Sequence, residues 1–346
     1  MSSSYLRLIG AAVGFGVVAI VGIVTLNFGA DTAVASWVYL TLAALGIAFL
    51  VYAAIEYAQT RRFGSITRQF DTRTLVLMPI AIAFNIILGQ AVGAALKIPI
   101  YLDSIGTILV GALAGPIPGA ITGLLSNVLW SYAVPPPFHS DIAGAFAIVA
   151  VVIGLLAGMF GRMGWLRPRP TSNWTTLAVG GAVAVVVVGA MAWYAYTRFY
   201  GDQGLTIFNP DNADVLFVVL GWAIVAIAVA AVVGFFYLLF RRRDLTVAYV
   251  VVAGVITGVI AAIISAPISA NLFSGVTGAG TDFLVAAFRQ AGSDIQTATF
   301  QQGLLSDPVD KLVTFLTVYV ILSAMAIRTK ARFPQGERLT NAEASA

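Results

Sequence analysis

Apolar runs alternate with short polar breaks along this chain, and the breaks carry most of its charge. Crossing a hydrocarbon core takes roughly 20 apolar helical residues. Runs of that length lie at Leu8–Leu26, Trp37–Ala58, Leu75–Leu96, Ile142–Met163, Thr175–Tyr196, Val215–Phe240, Thr246–Ile268 and Pro308–Ile327. Between the third and fourth sit two shorter segments, Leu102–Ala114 and Gly119–Val134, joined by Gly115-Pro116-Ile117-Pro118. The pattern predicts about ten transmembrane helices, two of them half-length. Pro116 and Pro118 lack an amide hydrogen and force the chain to turn. Gly111, Gly115, Gly119 and Gly123 recur every four residues through that joint. Small residues at this spacing line one helix face and admit a neighbouring backbone. Asp103, Asn127, Trp130, Ser131 and Tyr132 all fall at the end away from the turn. Two tightly packed short helices with polar groups at one common end predict a cavity open to that side.

Composition agrees with the runs. The 346 residues are 60% apolar and 10% charged, with a mean hydropathy of +0.94. An all-α polytopic membrane protein is expected, not a soluble domain. The N-terminal run has no convincing small-residue cleavage site and reads as a retained helix. With no cysteine and one histidine, His139, there is no thiolate or histidine-based metal site, and neither metal nor cofactor is expected. His139 reads as a solvated loop residue. A basic chain of pI about 9.4 would suggest nucleic acid in a soluble protein, but here topology explains the charge and no nucleic-acid partner is expected.

Ten crossings with an inner N-terminus put Arg7, the Gln59–Arg73 loop, the arginines at 162–169 and 241–243, and the tail on one side. That side then holds fifteen of the 19 lysines and arginines, whereas ten of the 15 acids fall on the other. The positive-inside rule makes the basic side cytoplasmic, with both termini there, in a cell's inner membrane. The Gly115–Pro118 turn then faces the cytoplasm, and Asp103, Asn127 and Trp130 face outward. The segment Ser269–Ser306, rich in small and hydroxyl residues, falls on that outer side and is expected to cap or line the cavity with irregular backbone.

IPIYLDSIGTILVGALAGPIPGAITGLLSN resembles the substrate-binding (S) components of energy-coupling factor (ECF) transporters, the vitamin-uptake branch of the ABC family. SAPISANLFSGVTGAGTDF, followed by GLLSDPVDKLVTFL, is similar to the second half of that group. The resemblance implies a six-helix core with substrate held on its outer side. It spans 74–163 and 246–330, leaving an N-terminal helix pair with its cytoplasmic loop (1–73), an inserted helix pair (164–245) and a tail (331–346). It also implies a small vitamin-like substrate, a transmembrane coupling protein and a separate ATPase pair. No G-x-x-x-x-G-K-[ST] is present for a nucleotide site in this chain, and GVTGAG follows no strand. A ligand sensor or a solitary transporter is the alternative. Against a sensor, the tail after the last helix is short for a signalling domain. An intramembrane enzyme is disfavoured, and no catalytic residues are expected, because no histidine, cysteine or paired-carboxylate set lies at membrane depth.

Candidate binding residues follow. Asp103 reads as a ligand carboxylate or as a helix N-cap, roles that can coexist, and Lys97 is a possible partner. Asn127 and Ser131 are four apart, with Trp130 near the same face. An amide beside an indole suits a planar heterocycle, though an interfacial aromatic and an interhelical amide read the same way. Asn85 is a costly amide in mid-membrane. Asn271, Thr277, Thr281 and Asp282 belong to the outer segment and are placed for ligand contact. Asp307, Asp310 and Lys311 read as caps, with Asp307 the N-cap before Pro308. Ala81 and Ala83, near the inner start of their helix, are expected to form a docking surface for the coupling protein, and the Gly111–Gly123 series to serve packing.

Overall fold

The computed structural model describes residues 3–26, 32–96, 100–200 and 215–340. Among them the chain is helical without a β-sheet: α1 (Ser3–Thr25), α2 (Ala33–Thr60), α3 (Gly64–Thr67), α4 (Thr72–Leu88), α5 (Ile105–Ala114), α6 (Pro116–Tyr132), α7 (Ala147–Arg162), α8 (Trp174–Tyr200), α9 (Val215–Arg242), α10 (Thr246–Phe273), α11 (Asp282–Gln290), α12 (Ile295–Ala324) and α13 (Ile327–Lys330). Asp71 caps α4 by accepting from Thr74 N at 2.8 Å, and Asp294 caps α12 through Thr297 N at 2.7 Å. The last turns of the α4 rod, Gly89–Ala95, widen into a π-helix.

Among the described residues, seven helices are long and apolar enough to cross a membrane by length and composition. The all-α architecture and these spans suggest a multi-pass membrane protein. Three of the ten expected segments fall outside that set for physical reasons. The ten residues of α5 rise only about 15 Å, and the 17 of α6 about 25 Å, at roughly 1.5 Å per residue. α12 is 30 residues long but carries Asp307, Asp310 and Lys311 in its middle turns.

Two small-residue seams hold the body together. A Cβ on Gly119 would lie 2.7 Å from both Gly111 Cα and Gly154 O, so α5, α6 and α7 meet backbone to backbone. Gly115, at φ 132, makes the turn between α5 and α6 that a side chain would strain. α10 and α12 form the second seam. A Cβ on Gly254 would meet Leu312 Cα at 2.9 Å, and one on Gly258 would collide with Pro308 Cα. Gly111 and Gly123 likewise lie against the α7 backbone, at Gly154 O and Ala150 O.

The other helices lie around this body. α1 packs along α2, and α2 is tied in by Trp37 Nε1 donating to Ala145 O at 2.9 Å. α8 and α9 contact α10 and α12, whereas α5, α6 and α7 contact one another directly. Large apolar side chains such as Val24 on α1, Ile80 on α4, Val186 on α8 and Val229 on α9 point outward. Asp244 joins the inserted pair to the body, accepting from Arg169 N at 2.8 Å and Tyr319 OH at 2.9 Å.

Two expectations about the outer segment change. Ser269–Ser306 is mostly helical: α10 runs on to Phe273, α11 follows, and α12 begins at Ile295. Asp307 is not an N-cap, because α12 continues through it and Pro308 is internal. Capping by Asp294 starts the helix about three and a half turns earlier, and Pro308 packs mid-helix directly against Gly258.

Candidate functional site

A cavity of about 160 Å³ opens at the end of the bundle where α5 begins. Ser126, Asn127 and Trp130 of α6 form one wall, and Ser265 and Ser269 of α10 the facing one. Gln302, Asp307 and Lys311 of α12 close a third side, with Ala150 and Ile153 of α7 beneath. Tyr101, Asp103 and the turn at Thr277–Ala279 form the rim, where the π-helical glycines Gly89 and Gly93 leave room. The backbone contacts among α5, α6 and α7 shut the opposite end.

The charged groups are built in. Lys311 Nζ contacts Asp310 Oδ2 at 2.5 Å, donates to Ser104 Oγ at 2.9 Å and lies 3.7 Å from Asp103 Oδ1. Asp310 is fully buried, and its other oxygen accepts from Tyr101 N at 3.0 Å and Leu102 N at 2.9 Å. One carboxylate therefore anchors both the lysine and the rim at Leu102, whose φ of 53 is unusual for a non-glycine.

Asp307 is held more loosely. Its oxygens lie 3.2 Å from Ser265 Oγ and Ser306 Oγ. Each of those hydroxyls has a competing carbonyl, Ala262 O at 3.5 Å and Gln302 O at 3.1 Å. A hydroxyl has one proton to donate, and a carboxylate accepts up to about four bonds. A 6% exposed carboxylate on the wall thus retains acceptor capacity toward the cavity. Three carboxylates stand around a single ammonium.

The residues singled out from sequence divide into two sets. Asp103, Asn127, Trp130 and Thr277 line the cavity. Trp130 Nε1 donates to Phe138 O at 2.8 Å, and the Cη2 and Cζ3 atoms of its benzo ring lie against Gly89. Asn127 Nδ2 makes only a long 3.3 Å bond to Phe146 O. Asp103 is not a cap, since α5 starts at Ile105 after Ser104 with no side-chain cap bond. Its carboxylate faces Lys311 instead. Lys97, the partner proposed from sequence, lies outside the described residues.

The other set supports the lining. Asn85 lies outside the cavity and ties α4, α5 and α6 together: it donates to Thr107 Oγ1 at 2.8 Å and Ser126 Oγ at 3.0 Å, and accepts from Gly106 N at 2.7 Å. Ser131 is also behind the wall, donating to Ser140 O at 2.6 Å and accepting from Gly144 N at 2.7 Å. Thr281 Oγ1 meets Tyr101 OH at 2.8 Å. Asp282 accepts from Thr277 N at 2.9 Å and Gly278 N at 2.7 Å, shaping the rim turn without lining the cavity. Asn271 is exposed and bonded to Pro267 O and Gln296. His139 is a part-exposed loop residue whose ring contacts Val134 O at 3.0 Å and Asp141 Oδ1 at 2.8 Å. Ala81 cannot dock a partner, since it is 3% exposed and its backbone sits against Gly106. Ala83 is exposed.

Sequence reasoning missed the roles of Asp307, Asp310 and Lys311. The signal was present as three ionisable residues within five positions of an apolar run, the pattern expected of a functional membrane site.

Comparisons with protein-family models, curated proteins and solved structures found no match.

Proposed function

We propose that this chain is the substrate-binding subunit of an ECF-type importer. It captures a small vitamin-like compound or precursor outside, for ATP-driven uptake by a separate coupling protein and ATPase pair. The observation that carries this reading is the cavity at one end of the bundle, polar and charged at its walls and shut at its far end by α5, α6 and α7. On this reading the six-helix core is α4, α5, α6, α7, α10 and α12, while α1–α2 and α8–α9 are additions. The chain crosses the inner membrane ten times, with both termini cytoplasmic and the cavity outward. α12 completes the core because its charged turns face α10 and the cavity, where polar groups at membrane depth are tolerated.

The site chemistry narrows the substrate. A wall with Asp103, Asp307 and Lys311, backed by Asp310, holds more carboxylate than ammonium. A substrate bearing an amine, or a ring with several N–H donors, complements Asp307. Its apolar face stacks on Trp130, and an acceptor on it pairs with Asn127 Nδ2.

Affinity purification from gently solubilised cells tests this directly. ATPase subunits and a coupling protein co-purify if the proposal holds. A chain that retains its ligand but brings down no ATPase is instead a ligand-sensing module or a solitary transporter.

A further inference from the structure

A second concavity, of about 530 Å³, opens at the opposite end of the bundle from the Lys311 cavity. We propose that it binds a phosphate-bearing anion. Its wall is built by Arg62 and Arg68 from the chain after α2, Arg162 at the end of α7, and Arg338 beyond α13. Glu56 is the carboxylate on this wall, and it is already engaged. It pairs with Arg7 at 3.2 Å and accepts from Ser65 N at 2.6 Å and Ser65 Oγ at 2.8 Å. Among the described residues, none of the four arginines has a carboxylate within ion-pair distance. Arg338 Nη1 donates to Arg162 O at 2.7 Å, which holds these two guanidinium-bearing residues together.

A second observation concerns the wall of the same hollow. Gln335 is 5% exposed and lines the concavity, yet neither its Nε2 nor its Oε1 has a partner. The amide is wedged between two glycines: a Cβ on Gly115 would stand 2.9 Å from Nε2, and one on Gly161 2.7 Å from Oε1. A buried polar group in a native fold is almost always paired. Four guanidiniums without a carboxylate partner around one hollow fit an oxyanion, which has only acceptors and forms short charge-assisted bonds to arginine forks. The positive-inside bias accounts for arginines at this end. It does not account for four of them lining one hollow with no carboxylate paired to them.

Two sources carry this chemistry, a soluble phosphorylated compound and an anionic phospholipid headgroup, and the experiment separates them. The purified full chain is placed in phosphatidylcholine nanodiscs and its melting temperature followed against inorganic pyrophosphate. In parallel, nanodiscs are titrated with phosphatidylglycerol. Saturable stabilisation by pyrophosphate assigns a soluble ligand, and stabilisation by phosphatidylglycerol alone assigns a headgroup. Arg68→Gln/Arg338→Gln should weaken the response roughly tenfold or more, as expected for losing charge-assisted bonds. Gln335→Leu should also weaken it. Arg241→Gln/Arg328→Gln removes equal charge from exposed arginines outside the hollow and should leave the response unchanged. The proposal is overturned if neither probe gives a saturable effect, or if the control pair weakens it as much as the Arg68/Arg338 pair.

Discussion

Replacing Lys311 by methionine keeps an unbranched stem as far as Cε and removes the ammonium. Asp310 then stays fully buried with only the Tyr101 and Leu102 amides as donors, and Asp103 loses the cation 3.7 Å away. Removing one partner of a buried ion pair costs about 3–5 kcal/mol, because the other charge remains uncompensated. Lys311→Met should therefore lose about that much stability. Asp310→Asn in the same chain removes the stranded charge, while its amide oxygen still accepts from the two rim amides. The double variant should recover at least about half of the loss, a coupling that a double-mutant cycle isolates. Reversible unfolding in mixed SDS–detergent micelles, read by tryptophan fluorescence, measures all four species. A loss under about 1 kcal/mol for Lys311→Met, or a double variant no better than the single, would show that the pair does not hold the rim.

Gly119→Val puts a side chain where a Cβ alone would lie 2.7 Å from two backbone atoms, and unfolding should show a loss of at least about 1–3 kcal/mol. Gly46→Ala, with open space around it, should be neutral or slightly stabilising. Asn127→Ala should weaken ligand binding roughly five- to 150-fold, the equivalent of about 1–3 kcal/mol, with Leu125→Ala near wild type by calorimetry. The chain has no native cysteine, so single cysteines report topology cleanly. In intact cells an impermeant maleimide should label Val276→Cys and spare Ser172→Cys, and the reverse would invert the proposed orientation.

Much of the fold could be read from the sequence because membrane-spanning helices announce themselves by length and apolarity. The α5–α6 turn at Gly115 and the small-residue seam followed from the Gly-Pro pattern, since only small residues allow backbones that close. Asn127 and Trp130 were found because polar groups stood out at one end of a short apolar helix. Asp307, Asp310 and Lys311 read as caps rather than as part of the site, for a local reason. Pro308 is a common first residue of a helix, so Asp307 read as its cap. Only the distant Gly258 across the α10–α12 seam shows why a proline is accommodated mid-helix there. Asn85 and Ala81 misled in the same way. An amide or a small residue in an apolar run is compatible with a ligand, a partner or a neighbouring helix, and the nearest tertiary contact decides which.

Native mass spectrometry of the gently purified chain tests the central claim most directly. The account predicts one small-molecule adduct carrying an amine or several N–H donors. That adduct should persist in Ser172→Cys, far from the cavity, and be lost in Asp307→Asn. An adduct retained undiminished by Asp307→Asn, or a wild-type chain that holds none even after incubation with cell extract, would contradict it.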